Sequence, residues 1–444
     1  MGMGSAAGAR QAVGGMPTII VRLPRLRGAV LHYHVAMTTS SLASADAVPL
    51  RQDAAIIGMV GLAHASSHFA HLLLPVMFPV FLREFGLSYS ELGLLMSVFF
   101  VVSGVGQAGS GFLVDRLGAR PVLFGSLVLF MGACVLASSA TGYGALVLVA
   151  ALAGLGNAPF HPVDFTIMNQ RVSAPRLGYA FSVHGITGNL GWAATPVFFA
   201  SFTSLFDWRV AYLAAALMYA GILLLLVLQR DKFRTVVVRR AVDGAAEHDL
   251  AFLKLPVVWW CFAFFLLSTM TLAVVQSFAV SLLQAMHQVS FQDATATLTA
   301  YMLCGATGIL VGGVVATRIA DSGRVVAVCM GVAALLLGLC GTGLFGATGT
   351  MVVLAATGFA VGMGGPSRDM MIKKGTPQGA TGRVYGIVYS GLDVGFAISP
   401  VVFGMFMDRG WFSQTFYGAA LILLLAVGAA LGVGRRTATR LQPA

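Results

Sequence analysis

Gly111-Phe112-Leu113-Val114-Asp115-Arg116-Leu117-Gly118-Ala119-Arg120 is a short polar interruption between two long apolar stretches. Residues 90–114 before it and 120–139 after it are each long enough to cross a hydrocarbon layer of about 30 Å as a helix. The interruption itself has a mechanical reading. Gly111 lets a neighbouring helix approach, Asp115 can cap a helix end or pair with a cation, and Gly118 turns the chain between Arg116 and Arg120. Together they are expected to form a conformational latch on one side of a membrane.

Similar runs extend in both directions: 54–82, 144–168, 178–203, 209–229, 255–283, 294–317, 325–345, 349–367, 384–407 and 411–433 bring the total to twelve. The chain is 58% hydrophobic and 10% charged, too few polar residues to cover a water-soluble core of this size. Lipid must serve as its solvent, and an all-α integral membrane fold of twelve transmembrane helices follows.

Basic residues orient these spans. With the N-terminus in the cytoplasm, 24 of the 27 Lys and Arg fall in cytoplasmic tails and loops, and only Arg83, Arg209 and Arg409 fall outside. The formal charge of +11 therefore reports topology and not nucleic-acid binding. A multi-pass protein of the inner (plasma) membrane with both termini cytoplasmic is expected. Residues 1–53 read as a disordered cytoplasmic tail, and Met37 is a candidate true start, with 1–36 an overrun upstream of it. The five cysteines lie inside apolar runs without paired spacing, which argues against a disulfide framework or a zinc site.

The charged stretch 230–254 reads as a cytoplasmic linker between six-helix bundles at 54–229 and 255–433, with a second cytoplasmic tail at 434–444. The halves are related. Gly154, Gly156 and Pro159 match Gly362, Gly364 and Pro366, while Gly178, Asn189, Gly191 and Pro196 match Gly382, Asp393, Gly395 and Pro400. Two pseudo-symmetric bundles place a ligand site between them near mid-membrane. The second copy of the loop pattern, Gly313–Arg324, has Thr317 in place of Asp115. Glycine triplets such as Gly185, Gly188 and Gly191 clear helix surfaces for close contact.

An ionisable side chain at the bilayer centre costs on the order of 3 kcal/mol, so each one needs a reason. His64, His68 and His71 share one helical stripe. In the fourth run, Pro159-Phe160-His161-Pro162-Val163-Asp164 should break the helix by releasing the carbonyls of Leu155 and Ala158. His161 and Asp164, three apart, are expected to share the exposed face. Asp393 and its repeat mate Asn189 are expected to line the site, with Gln107 and His184 as weaker candidates. No Lys or Arg lies in the middle of a run, which favours neutral, zwitterionic or cationic ligands. His161, His184, His248 and His287 look isolated in sequence, so no metal, no cofactor and no enzyme are expected.

The Gly111–Arg120 pattern resembles the signature that major facilitator superfamily transporters carry between their second and third helices. Over roughly 55–230 the chain further resembles the fosmidomycin-resistance type of efflux protein, through Phe160-His161-Pro162 and Gly188-Asn189-Leu190-Gly191, with His64, Pro79 and Gln107 in supporting positions. Two departures stand out. That family usually follows His-Pro with Glu, where this chain has Val163 and Asp164, and it tends to have Asn and Asp where Ser67 and His68 stand. The resemblance implies a monomeric secondary transporter in the lipid bilayer, driven by protons and exporting a small-molecule substrate as a drug or metabolite antiporter. Proton-coupled uptake of a small metabolite or organic acid is the alternative on the same fold.

Overall fold

The computed structural model describes residues 49–236, 254–319, 321–375 and 381–440. The tail 1–48, most of the linker and residues 441–444 lie outside the described residues. The N-terminal half comprises α1 (Leu50–His71), α2 (Phe78–Phe85), α3 (Tyr89–Leu117), α4 (Ala119–Ser138), α5 (Tyr143–Asn157), α6 (Phe160–Arg171), α7 (Leu177–Leu205) and α8 (Trp208–Leu228). The C-terminal half comprises α9 (Pro256–His287), α10 (Phe291–Arg318), α11 (Ser322–Thr342), α12 (Gly346–Gly375), α13 (Thr381–Asp408) and α14 (Phe412–Arg440). Because α1 with α2, and α5 with α6, each make one crossing, the fourteen helices among the described residues give twelve spans.

Eleven spans are apolar enough to cross a membrane on composition alone. The twelfth is α7, 29 residues long, whose His184, Thr187 and Asn189 dilute its apolar content. Helix ends differ from the apolar runs at both termini of the bundle. Residues 50–53, read as tail, form the first turn of α1, and α14 continues to Arg440 through most of what reads as the C-terminal tail. Linker residues 230–236 also fold back on the N-terminal half, with Phe233 buried and Thr235 Oγ1 accepting from Ala119 N at 2.9 Å.

Prolines divide two spans. As the sequence predicts, the fourth span breaks between Asn157 and Phe160, where Pro159 and Pro162 deny the helix two donors. The break in the first span is not foreseen. Pro75 would clash with the carbonyl of His71, so the chain passes through a 3₁₀ turn at Pro75–Met77 before α2. The hydroxyl of Tyr212 donates to the freed Leu73 carbonyl at 2.6 Å, the kind of internal satisfaction that backbone at membrane depth requires.

Repeat-related glycines do equivalent work in the two halves. Gly154 packs on the Phe99 carbonyl of α3 and Gly156 on α4 at Phe130, while Gly362 packs on the Gly305 carbonyl of α10 and Gly364 on α11 at Met330. Gly191 meets the Ala65 carbonyl of α1, and Gly395 the Leu266 carbonyl of α9. The second span of each half also starts alike: Ser88 and Glu91 form a capping box on α3, and Ser290 accepts from Asp293 N on α10.

The halves meet along α3 with α13 and α7 with α10. From the end that carries Gly86, the first seam zips through Gly93 against the Pro400 carbonyl, Ser97 Oγ donating to the Ala397 carbonyl, and Phe100 stacked on Phe396 at 4.3 Å, to Gly104 against Asp393. The second runs from Thr299 donating to the Ala193 carbonyl to Gly305 beside Asn189. Beyond these points the helices splay, and Gly109, Gly111, Gly178, Gly185 and Gly313 have open space where a side chain would stand. Among the described residues, the halves thus meet at one end of the bundle and stand apart at the other.

Candidate functional site

Asp164 lies on α6, two residues past Pro162 and within the first turns after the proline break, and its side chain is fully buried. Two imidazoles clamp one of its oxygens. His64 Nδ1 of α1 and His184 Nε2 of α7 each stand 3.1 Å from Asp164 Oδ2, and their rings stack with centroids 3.5 Å apart. The second oxygen, Oδ1, has no hydrogen-bond partner among the described groups. A carboxylate removed from water and held by two titratable rings is a place where protons can be bound and released at membrane depth.

The histidine stripe of α1 extends this cluster. The His68 ring sits 4.4 Å from His64 and 4.9 Å from His71, with the Trp192 indole 4.3 Å away. Gly188 makes room for it, because a Cβ there would stand 2.7 Å from His68 Cε1. His71 anchors a directed chain of hydrogen bonds. Trp192 Nε1 can only donate, so His71 Nδ1 accepts at 3.2 Å, which leaves His71 Nε2 to donate to Asn157 Oδ1 at 3.1 Å. Asn157 Nδ2 then donates to Ser103 Oγ at 2.9 Å, linking α7, α1, α5 and α3.

His161 and Asp164 do not share an exposed face as the sequence spacing predicts. Asp164 points inward, whereas His161 is exposed and its Nδ1 lies 3.2 Å from Gln107 Oε1 on α3. Both stand on the regular helix α6, after the break, and both flank His64, so they differ in burial and not in register. Nor are His161 and His184 isolated: their rings lie 5.7 Å and 3.5 Å from His64. Asn157, Trp192 and Ser103 escape sequence reasoning. The available signals are an Asn two residues before Pro159 and a Trp one helical turn past Gly188.

Asp393 and Asn189 occupy matching positions in the seams. Each sits where the halves begin to part, Asp393 against Gly104 and Asn189 against Gly305. Gln107 follows one turn past Gly104. A basic group also lies closer to the spans than sequence indicates. Because α12 runs on past residue 367, Arg368 belongs to the helix, with its Nε 2.9 Å from Asp369 Oδ1 and its guanidinium 5.1 Å from the Phe265 ring.

In the loop pattern, Gly118 has φ +82° and turns the chain between α3 and α4, where a side chain would be strained. Asp115 and Arg116 are exposed, and Asp115 has no ion pair among the described residues. Gly111, read as a point of close helix approach, would have nothing within 4 Å of an added Cβ because it lies on the splayed side.

A family model described as Major Facilitator Superfamily matches residues 60–288 and 267–443. The fosmidomycin resistance protein of Escherichia coli (strain K12) is 27% identical over 155 residues, 35% of this chain and 38% of that protein. The inner membrane transport protein YnfM of the same organism is 27% identical over 153 residues, 33% of this chain and 36% of that protein, so the chain spans well under half of either relative. A probable sulfoacetate transporter, SauU of Cupriavidus necator, is 22% identical over 420 residues, 87% of this chain and 93% of that protein. The fold is shared with a bacterial homolog of the human lysosomal transporter Spinster in its inward-facing, unoccupied conformation, at TM-score 0.72 and 13% identity, covering 89% of this chain and 100% of the other. With two six-helix halves, matching seams and a family model across most of its length, the chain belongs to the Major Facilitator Superfamily.

Proposed function

We propose that the chain is a proton-driven secondary transporter that exports small polar or amphiphilic compounds by alternating access, working as a monomer in the inner membrane. The observation that carries this reading is the buried Asp164 held between His64 and His184 on three helices of the N-terminal half, toward the end at which the described halves part. Protons exchange at the carboxylate–imidazole cluster. Substrate enters where the seams part, at Asp393 and Asn189, with His161 and Gln107 on the open side. The likeness to proteins named for fosmidomycin resistance and multidrug resistance supports export.

The open end is assigned to the cytoplasm. Arg116, Arg120, Arg176, Arg230 and Arg318 lie at that end, and Arg83, Arg209 and Arg409 at the closed one, the distribution that the positive-inside rule associates with cytoplasmic termini. Asp115, without an ion pair among the described residues, fits a latch released in this state and engaged when the cytoplasmic end closes.

A second reading, proton-coupled uptake of an organic acid, draws on Arg368 inside α12 and on the near full-length likeness to the probable sulfoacetate transporter. Proteoliposomes enclosing a pH-sensitive dye separate the two. Adding a transported compound outside is expected to make the lumen alkaline, as exchange requires. Luminal acidification would overturn export in favour of symport, and no proton movement with any compound that is itself taken up would refute proton coupling.

A further inference from the structure

We propose that the imidazole–carboxylate cluster of the N-terminal half binds a divalent transition-metal ion of the zinc, cobalt and nickel class. His64 Nδ1 and His184 Nε2 each lie 3.1 Å from the same atom, Asp164 Oδ2. Two ligands on one tetrahedral zinc, each at about 2.0–2.1 Å, stand roughly 3.3 Å apart. These separations are therefore those of neighbouring ligands around a single ion. The donor atoms of His64, Asp164 and His184 all fall within 4.8 Å of one another, as do those of His64, His68 and His161. Drawing either set onto one ion requires movements of under about 1 Å per ligand.

Two further features favour an ion. Asp164 Oδ1, His68 Nδ1 and His64 Nδ1, the last close to Asp164 but not aligned with it, are buried without a hydrogen-bond partner among the described groups, although an unsatisfied polar atom costs about 1–3 kcal/mol. An ion held by His64, Asp164 and His184 would take up His64 Nδ1 together with the Asp164 carboxylate. Gly188 also keeps a gap clear beside the second set, on the Nε2 side of the His64 ring, since a Cβ there would stand 2.8 Å from His68 Nδ1 and 3.1 Å from His64 Nε2. The donor chemistry selects the class: imidazole with one carboxylate suits borderline transition metals, whereas magnesium and calcium prefer oxygen throughout. Occupancy by metal depends on neither the direction nor the coupling of transport.

Full-length, tag-free protein in detergent, stripped with a chelator and equilibrated with cobalt(II), should bind one ion per chain with the intense visible absorption of a four-coordinate site. His184→Gln should weaken binding tenfold or more, while His287→Gln, outside the cluster, should leave it unchanged. Where the buried variant does not fold, X-ray absorption of the unmutated zinc-loaded protein decides instead. It should show nitrogen and oxygen ligands at about 2.0–2.1 Å with outer-shell scattering from at least two imidazoles. Affinity unchanged by His184→Gln, substoichiometric binding, or a zinc spectrum with fewer than two imidazoles would each overturn the site.

Discussion

Asp164 meets His64 across 100 positions of sequence and His184 across 20, and all three converge on one carboxylate oxygen. Replacing Asp164 with Asn keeps the shape and removes the charge. Under the proton-driven reading, Asp164→Asn should abolish proton movement in proteoliposomes while leaving a monodisperse, helical protein, and pH-driven flux at the normal rate would refute its role. Trp192 offers a milder test. Trp192→Phe keeps an aromatic ring against His68 and deletes the donor to His71, so thermal unfolding in detergent should show a loss of about 1 kcal/mol. An unchanged midpoint would mean that His71 is held by Asn157 and packing alone.

Among the elements, several repeat-related glycines mark close backbone approach. A Cβ on Gly191 would stand 2.1 Å from the Ala65 carbonyl oxygen, and one on Gly395 2.8 Å from that of Leu266. Backbone cannot rotate away as a side chain can, so Gly191→Ala must separate α1 from α7. The expected cost is about 1–3 kcal/mol, with Gly395→Ala milder and Gly178→Ala, facing open space, neutral. Ranking the three by thermal unfolding checks the order. How much of this is legible in sequence varies by element. Pro159 and Pro162 announce the break between α5 and α6, because two lost donors in four residues cannot be absorbed by a straight helix. Pro75 carries the same physics, but it sits amid apolar residues inside a run that reads as one continuous span.

At the scale of the whole molecule, the closed end is pinned by Asp408 of α13, which accepts from Tyr89 N at 2.6 Å and Ser90 N at 3.1 Å and so caps α3 from the opposite half. Loss of a helix cap costs about 1 kcal/mol, a shift of roughly fivefold between two conformations. Asp408→Ala should therefore favour the state open at this end. A single cysteine at Ser97, in a background lacking the five native cysteines, should then be labelled several times faster. An unchanged rate would show that apolar contacts such as Phe100 on Phe396 hold the gate without it.

The sequence by itself determined what lipid enforces on every residue. Apolar runs of spanning length, basic residues kept to the loops, a proline pair that must break a helix, and glycines spaced for close contact are local demands of a medium without water. The matched glycines and prolines also disclosed the internal repeat, because both halves solve the same packing problem. Only the tertiary structure decided which polar side chains meet. His64, Asp164 and His184 come from three spans whose rotations about their own axes are set by neighbouring helices, which bury Asp164 and leave His161 on the same helix exposed. It also decided that the two seams part at Asp393 and Asn189. That point is a balance between contacts at opposite ends of the bundle, and no single stretch of sequence contains both.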